Sequence, residues 1–325
     1  MRIALTGASG HIGTNLCRAL LSEGHEVRVL INRTSKSLEE IPVERIPGNI
    51  LDKKSLESLI SGCEIVIHLA ATISIRGVNE RDLLSINING TKNILEVITR
   101  LPVKRFIHFS SIHALTQEPF DEILDETRPL ALKDPILYNR SKAWSEQLVS
   151  EAIKNGMDGV IINPTSVVGP NDFRPSLVGR AIIQICQNKL PGLIRGGYDW
   201  VDVRDVVSGT LQAIEKGRTG ERYLLSGKWL SLPDLVGIIS RYHKIKTKHA
   251  ILPYWLAELG VPFLKVYAML RKADPLYTRE SLDIIKHSHR MISCDKAKKE
   301  FGYQPRPIEI TIKDTLEWFK ENGYL

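Results

Sequence analysis

Cysteine is scarce in this chain and never closely spaced. Cys17, Cys63, Cys186 and Cys294 lie far apart, which excludes a CxxC redox couple and a Cys/His cluster with zinc spacing. Free, reduced thiols are expected. His243, His249, His287 and His289 do not combine with carboxylates on one predicted face, so no metal is expected either. A long apolar run is also missing. The most apolar stretch, Ile251–Leu270, is broken by Glu258, Gly260, Lys265 and two prolines, and falls short of the roughly twenty continuous apolar residues of a membrane span. Its expected fate is a set of buried helices, with an amphipathic lid or a peripheral membrane contact as the alternatives. Basic residues outnumber acidic ones by 44 to 37, yet no basic run is interleaved with aromatics, which argues against a nucleic-acid partner. The first residues, MRIALTGASG, contain no charged leader or apolar signal region, so a cytoplasmic location is expected. Internal repeats, low-complexity tracts and a Gly/Ser linker are absent.

What is present is an alternation. Short apolar runs at Arg2–Thr6, Val27–Ile31, Ile65–Leu69, Arg105–Phe109 and Gly159–Ile162 are separated by helix-length segments. Parallel strands need long crossovers, and strands covered on both faces are apolar throughout, as in IVIHLAA from Ile65. The pattern predicts a doubly wound parallel sheet. After Pro164 the pattern loosens into loops rich in Gly and Pro, which predicts a smaller second lobe packed tightly on the first.

The first strand runs directly into Thr6-Gly7-Ala8-Ser9-Gly10-His11-Ile12-Gly13 and then a helical stretch. Glycines at 7, 10 and 13 allow a tight turn, a close approach to a pyrophosphate and close helix packing, while the helix start offers free N–H groups. A dinucleotide fits that chemistry. The expected fold is therefore α/β: a Rossmann-type doubly wound parallel sheet with a smaller mixed α/β substrate-binding lobe. Residues 1–165 form the dinucleotide-binding domain, residues 200–225 return to it, and 166–325 are mainly the substrate lobe. After the second strand no carboxylate is available for a ribose 2′-hydroxyl. Asn32-Arg33-Thr34-Ser35-Lys36 offers instead Arg33 and Lys36, suited to a 2′-phosphate. NADP(H) is preferred on this reading, with NAD(H) as the alternative.

Tyr138 and Lys142 lie four residues apart in a helical stretch and so share one face. A phenol is a poor acid at neutral pH unless a neighbouring cation favours its ionised form, a role that suits Lys142. Upstream, the strand Arg105–Phe109 ends in Ser110-Ser111, at the sheet end where α/β folds place ligands. The Ser111 hydroxyl is suited to hold a carbonyl oxygen as charge develops on it.

Taken in order, TGASGHIG, HLAA (His68–Ala71), INING (Ile86–Gly90), FSS (Phe109–Ser111), YNRSK, NPTSVVGPND from Asn163 and WVDVRDVV from Trp200 resemble the extended short-chain dehydrogenase/reductase family over nearly the whole chain. The likeness is to its members related to dihydroflavonol reductase and 3β-hydroxysteroid dehydrogenase. The resemblance implies that Ser111 polarises a carbonyl, Tyr138 passes the proton, Lys142 lowers the Tyr138 pKa and contacts the nicotinamide ribose, and Asn87 holds a relay water. It also implies cofactor contacts from Gly7, Ser9, Gly10, His11, Ile12, Gly13, Asn49, Ile50, Leu69, Ala70, Ala71, Pro164, Thr165 and Val167. Asn49 stands where the family often has Asp. The basic residue expected just past the second strand comes one position late, at Arg33 after Asn32. A homodimer through helices around 87–98 and 138–153 is a further implication.

His113, Arg174 and Tyr198 are candidate substrate contacts, with core or loop roles as the alternative. Asp205 is expected to cap a helix. The substrate expected is a small carbonyl or alcohol. Two other functions compete: a nucleotide-sugar epimerase or dehydratase with tightly bound NAD, and a non-catalytic NADP(H) sensor or assembly factor. The missing ribose carboxylate counts against the first, and the intact Ser111, Tyr138 and Lys142 against the second. Arg33→Ala is expected to weaken NADPH binding by about 2 kcal/mol with little effect on NADH. Calorimetric titration checks this, and equal losses for the two would reject the 2′-phosphate role.

Overall fold

The structure is a computed structural model that describes residues 1–32, 36–73, 79–189, 192–245, 251–270 and 279–325. Arg33 lies outside the described residues. The chain begins β1 (Arg2–Thr6), α1 (His11–Ser22), β2 (Glu26–Ile31), β3 (Glu44–Pro47), α2 (Lys53–Ile60) and β4 (Ile65–His68). It continues through α3 (Glu80–Leu84), a π-helical turn at Ser85–Asn89, α4 (Gly90–Ile98), β5 (Arg105–Phe109), α5 (Leu137–Lys154) and β6 (Gly159–Pro164). Then come β7 (Ser166–Val168), α6 (Leu177–Cys186), β8 (Leu193–Ile194), β9 (Gly197–Asp202), α7 (Val203–Lys216), β10 (Arg222–Leu225), β11 (Lys228–Ser231) and α8 (Leu232–Tyr242). The described part ends with β12 (Ile251–Leu252), α9 (Tyr254–Leu270), α10 (Arg279–Lys286), α11 (Asp295–Phe301) and α12 (Ile308–Glu321).

Seven strands form one sheet in the order β10-β6-β5-β4-β1-β2-β3, every pair parallel. The chain starts in the middle and winds outward in both directions, so the direction of winding reverses between β1 and β4. A crevice opens there at the strand carboxyl ends. Alternate residues of β1 show why the strands are apolar throughout. Ile3 and Leu5 enter a core with Leu16 and Leu20 of α1, Val206 of α7 and Phe301 of α11. Ala4 enters the opposite core with Leu56 of α2, Ile94 of α4 and Val149 of α5. A third apolar cluster joins β8, β9, α6, α8, α9, α10 and α12, and its strands form two small sheets, β11-β9-β7 and β12-β8. All four cysteines are buried and free.

Helix starts follow local chemistry. Asp52 accepts from the N–H groups of Lys54 and Ser55 to start α2, and Ser176 and Ser231 do the same for α6 and α8. The expected cap at Asp205 is corrected: Asp202 caps α7, while Asp205, one turn in, accepts from the backbone N–H and Nε of Arg306. A buried carboxylate at that depth pairs with a cation from a distant segment, since the helix end is already satisfied.

Beneath the crevice a chain of hydrogen bonds ties β1, β4 and α4 together. The Ala70 N–H donates to Thr6 Oγ1 (3.3 Å), and Thr91 Oγ1 donates to the carbonyl of Asn87 (2.7 Å). The Thr6 hydroxyl therefore donates to His68 Nδ1 (2.7 Å), and His68 Nε2–H donates to Thr91 Oγ1 (3.1 Å). This assigns one neutral tautomer, and burial holds the His68 pKa down to about 3. The neighbouring His108 is also buried, and desolvation lowers its pKa well below 6.5.

The unfolded chain binds these protons near pH 6.5 and the folded chain only far below it, so stability falls as pH drops through that interval. The loss is about 1.4 kcal/mol per pH unit for each such histidine. His68→Leu is expected to cost roughly 2 kcal/mol at pH 7.5, by leaving two buried hydroxyls short of a partner, and to flatten the decline between pH 6 and 4. Urea titrations across that range check it; an unchanged slope would refute the neutral assignment.

Candidate functional site

The turn after β1 is shaped by two close approaches. Gly7 has φ +76°, and a Cβ there would stand 2.7 Å from the Ala70 nitrogen; one on Gly13 would stand 2.3 Å from the Gly7 carbonyl oxygen. Gly7 thereby lets the turn lie against the segment after β4, and Gly13 lets α1 lie against the turn. At Gly10 the only neighbour among the described residues within reach of such a Cβ is the Gly7 oxygen at 3.3 Å, which leaves that backbone open to a ligand on the described side. Ser9 and Gly10 are exposed, His11 and Ile12 half-buried, and the N–H groups of the first turn of α1 point into the crevice mouth. Ser37 Oγ donates to the Ser9 carbonyl (3.2 Å), which brings the exposed Lys36 beside the turn.

Across the turn, Leu69 and Ala70 are half-buried and Ala71 exposed. Ile50 is buried against Gly90, where a Cβ would meet it at 3.1 Å. The exposed Asn49 uses Oδ1 to accept from the Leu51 N–H (3.0 Å).

On the other side of the crevice, Ser111, Tyr138 and Lys142 come together. Ser111 follows β5 in extended conformation, and its hydroxyl accepts from the His113 N–H (3.2 Å) and lies close enough to the Tyr138 phenol to favour its ionised form. Tyr138 is half-buried in the first turn of α5; Lys142 is buried one turn later, its Nζ donating to the Phe109 carbonyl (2.7 Å). Burial raises the Tyr138 pKa above 10, and the Ser111 hydroxyl partly offsets this. Burial pulls Lys142 down to about 8, and the Glu146 carboxylate opposes that fall. In this arrangement the ammonium is turned toward Phe109, and Ser111 is the group that favours the ionised phenol.

Asn87 sits in the π-helical turn, where Oδ1 accepts from the Thr72 N–H (2.7 Å) and Nδ2 donates to the Thr72 carbonyl (3.0 Å) and to Ser141 Oγ (2.9 Å). Ser141 Oγ donates in turn to the Tyr138 carbonyl (2.7 Å), so Asn87 fixes the helix that carries the phenol.

Sequence reasoning missed the layer below. Glu146 is fully buried one turn after Lys142 and pairs with Arg222 of β10 (2.9 Å). Asn163 Nδ2 donates both to Glu146 Oε2 (2.9 Å) and to the Ser111 carbonyl (3.0 Å). The signal available was the four-residue step from Lys142 to Glu146, which places a carboxylate on the lysine's own face. Ser110 Oγ is buried and has no partner among the described residues.

Pro164 is buried at the end of β6, Val167 half-buried in β7, and Thr165 Oγ1 donates to Asp199 (2.6 Å), whose pKa burial raises. His113 is half-buried, with desolvation holding it down to about 4. Arg174 is exposed, and Tyr198 stacks edge-on against Trp200 in the third core, on the strand face opposite Asp199. The lobes meet at the start of α1, where His11 Nε2 and Asn15 Nδ2 both contact the Pro170 carbonyl (3.0 and 3.2 Å).

Comparison with known proteins identifies the family. Residues 3–226 match the model of the NAD dependent epimerase/dehydratase family. The chain is 32% identical to sterol demethylase protein B of Methylococcus capsulatus over 100% of both chains. It is 27% identical to 4-hydroxy-2-methyl-3-oxo-4-farnesyl-3,4-dihydroquinoline-1-oxide ketoreductase of Stigmatella aurantiaca, over 99% of this chain and 97% of that one. The crystal structure of gox2253 superimposes with a TM-score of 0.86 at 30% identity, covering 100% of this chain and 99% of the other. With its parallel sheet, glycine turn and matching sequence, the chain belongs to the NAD dependent epimerase/dehydratase family and is an NAD(P)-dependent oxidoreductase of the extended short-chain dehydrogenase/reductase type.

Proposed function

We propose that this protein is a reductase that interconverts a ketone or aldehyde and the corresponding alcohol on a small organic substrate, with NADP(H) as the preferred partner. The observation that carries the reading is the placement of Ser111 just after β5 and of Tyr138 and Lys142 one turn apart on α5, with the Lys142 ammonium held at the Phe109 carbonyl that ends β5. The glycine turn fits a pyrophosphate, since the backbone at Gly10 is open and helix N–H groups face it. The preference for a 2′-phosphate rests on the absence of a carboxylate at the end of β2 and on Lys36 beside the turn.

When bound, the nicotinamide supplies or accepts the hydride. The Ser111 hydroxyl donates to the substrate oxygen as charge builds on it. Tyr138, kept protonated by burial across the neutral range, gives its proton to that oxygen, and in the reverse direction takes it back. The reading gives Lys142 the role of offsetting the cost of the ionised phenol, which requires its ammonium to leave the Phe109 carbonyl for the Tyr138 side. On this reading Pro164, Thr165 and Val167 line the nicotinamide side, and His113, whose backbone N–H donates to Ser111 Oγ, is the substrate candidate tied to the site. The apolar substrate classes named for the two relatives above, a sterol and a farnesylated ring, favour an apolar ketone here. The reading includes a homodimer through the π-helical turn, α4 and α5, on whose surface Trp144 of α5 is an exposed large apolar side chain.

Tyr138→Phe is expected to cut NADPH-dependent carbonyl reduction at least a hundredfold while leaving NADPH binding intact. Turnover that survives the substitution overturns the assignment, and a tightly retained NAD in purified protein favours epimerisation instead. Lys142 loses its charge as pH rises through about 8, so kcat/KM for reduction is expected to fall above that pH. Of the groups facing Lys142, His68 and His108 are neutral and Glu146 is the anion, which Arg222 faces from β10. Glu146→Gln is therefore expected to move the alkaline midpoint to lower pH. A midpoint that stays in place would leave Glu146 a purely structural residue.

A further inference from the structure

We propose that the outer face at the start of α9 docks on an anionic phospholipid surface. Thirteen large apolar side chains are exposed among the described residues, and four of them, Ile251, Trp255, Leu256 and Leu259, fall within nine residues. Trp255 is 62% and Leu259 60% exposed. The helix cannot simply roll these inward. Its opposite face is committed, with Val261 buried and Tyr254 and Ala257 packed on the third core. Spacing of one helical turn puts Trp255 and Leu259 on one face, with Leu256 beside them and Glu258 as the acidic residue among them.

Charge points to the chemistry of the partner. Residues 241–292 hold ten basic and four acidic residues, and so carry six of the seven net positive charges of the whole chain. Arg241, Lys244, Lys286 and Arg290 are exposed, and Lys286 lies 4.4 Å over the ring of Tyr254, at the root of the apolar face. An apolar face with tryptophan combined with clustered cations is the pairing of two weak signals that holds a protein on an anionic bilayer. A second copy of the chain fits less well, because a two-fold contact through this face would oppose the same cationic segment to itself. The inference is independent of the chemistry assigned to Tyr138.

Co-sedimentation of the full chain with vesicles tests it. Binding is expected to vesicles of equimolar phosphatidylglycerol and phosphatidylcholine, and to be at least about tenfold weaker for phosphatidylcholine alone or at high salt. The double variant Trp255→Ser/Leu259→Ser is expected to lose about tenfold in partitioning, and Lys244→Glu/Lys286→Glu to lose the preference for the anionic lipid, both with native circular dichroism. Absence of binding, equal binding to both vesicles, or undiminished binding by the double variant would each overturn the proposal. So would self-association in lipid-free sedimentation that Trp255→Ser/Leu259→Ser abolishes, since that outcome assigns the face to a second copy.

Discussion

A positive charge held out of water beneath the end of a central strand is the constraint around which much of this chain is arranged. Lys142 is 4% exposed, and an ammonium so placed survives only with a carbonyl and an anion close by. Phe109 supplies the carbonyl from β5 and Glu146 the anion from α5. The buried carboxylate then needs its own partners, which come from Asn163 on β6 and Arg222 on β10. Four elements are thus placed by one desolvated charge, and the Ser111 carbonyl is held in the same network through Asn163. Arg222 also donates to the carbonyls of Glu126 and Arg128, so the loop that leads to α5 is fixed from the same residue.

The cofactor side is organised on the opposite principle. There the ties from Ala70 through Thr6, His68 and Thr91 to Asn87 are all between neutral groups, and their order depends on His68 staying uncharged. The two networks approach each other at the His68, His108 and Lys142 side chains, where the lysine's charge adds to the cost of protonating either imidazole. Asn87 then passes the position of α4 to α5 through Ser141.

These networks explain which parts of the molecule were legible in the sequence. Strands such as Ile65–His68 announce themselves because both faces are buried, while β3, with Glu44, Arg45 and Pro47 exposed at the sheet edge, carries no apolar run and was not among the strands read from the pattern. The glycine turn and the Tyr138–Lys142 step are local and could be read by spacing. Glu146 is one carboxylate among several on a polar-looking helix, and its importance depends on Arg222, a partner far along the chain that only the fold brings near. The third core was equally opaque, because segments from β7 to α12 contribute to it in no simple period. Tyr198 illustrates the result: an aromatic in a plausible position is turned by strand alternation toward Trp200.

The late arrival of β10 sets a condition on how the protein is made. β6 stays the open edge of the large sheet until residues 222–225 have been synthesised, with its backbone pairing groups and the Glu146 carboxylate both waiting for that strand. A nascent chain that has completed everything through β6 is a template for foreign strand pairing, with the Glu146 carboxylate still lacking its Arg222 partner. Closure of the sheet is therefore a non-local event that follows release of the second lobe's first segments, and for that interval the growing chain depends on shielding of one edge from its neighbours on the same message.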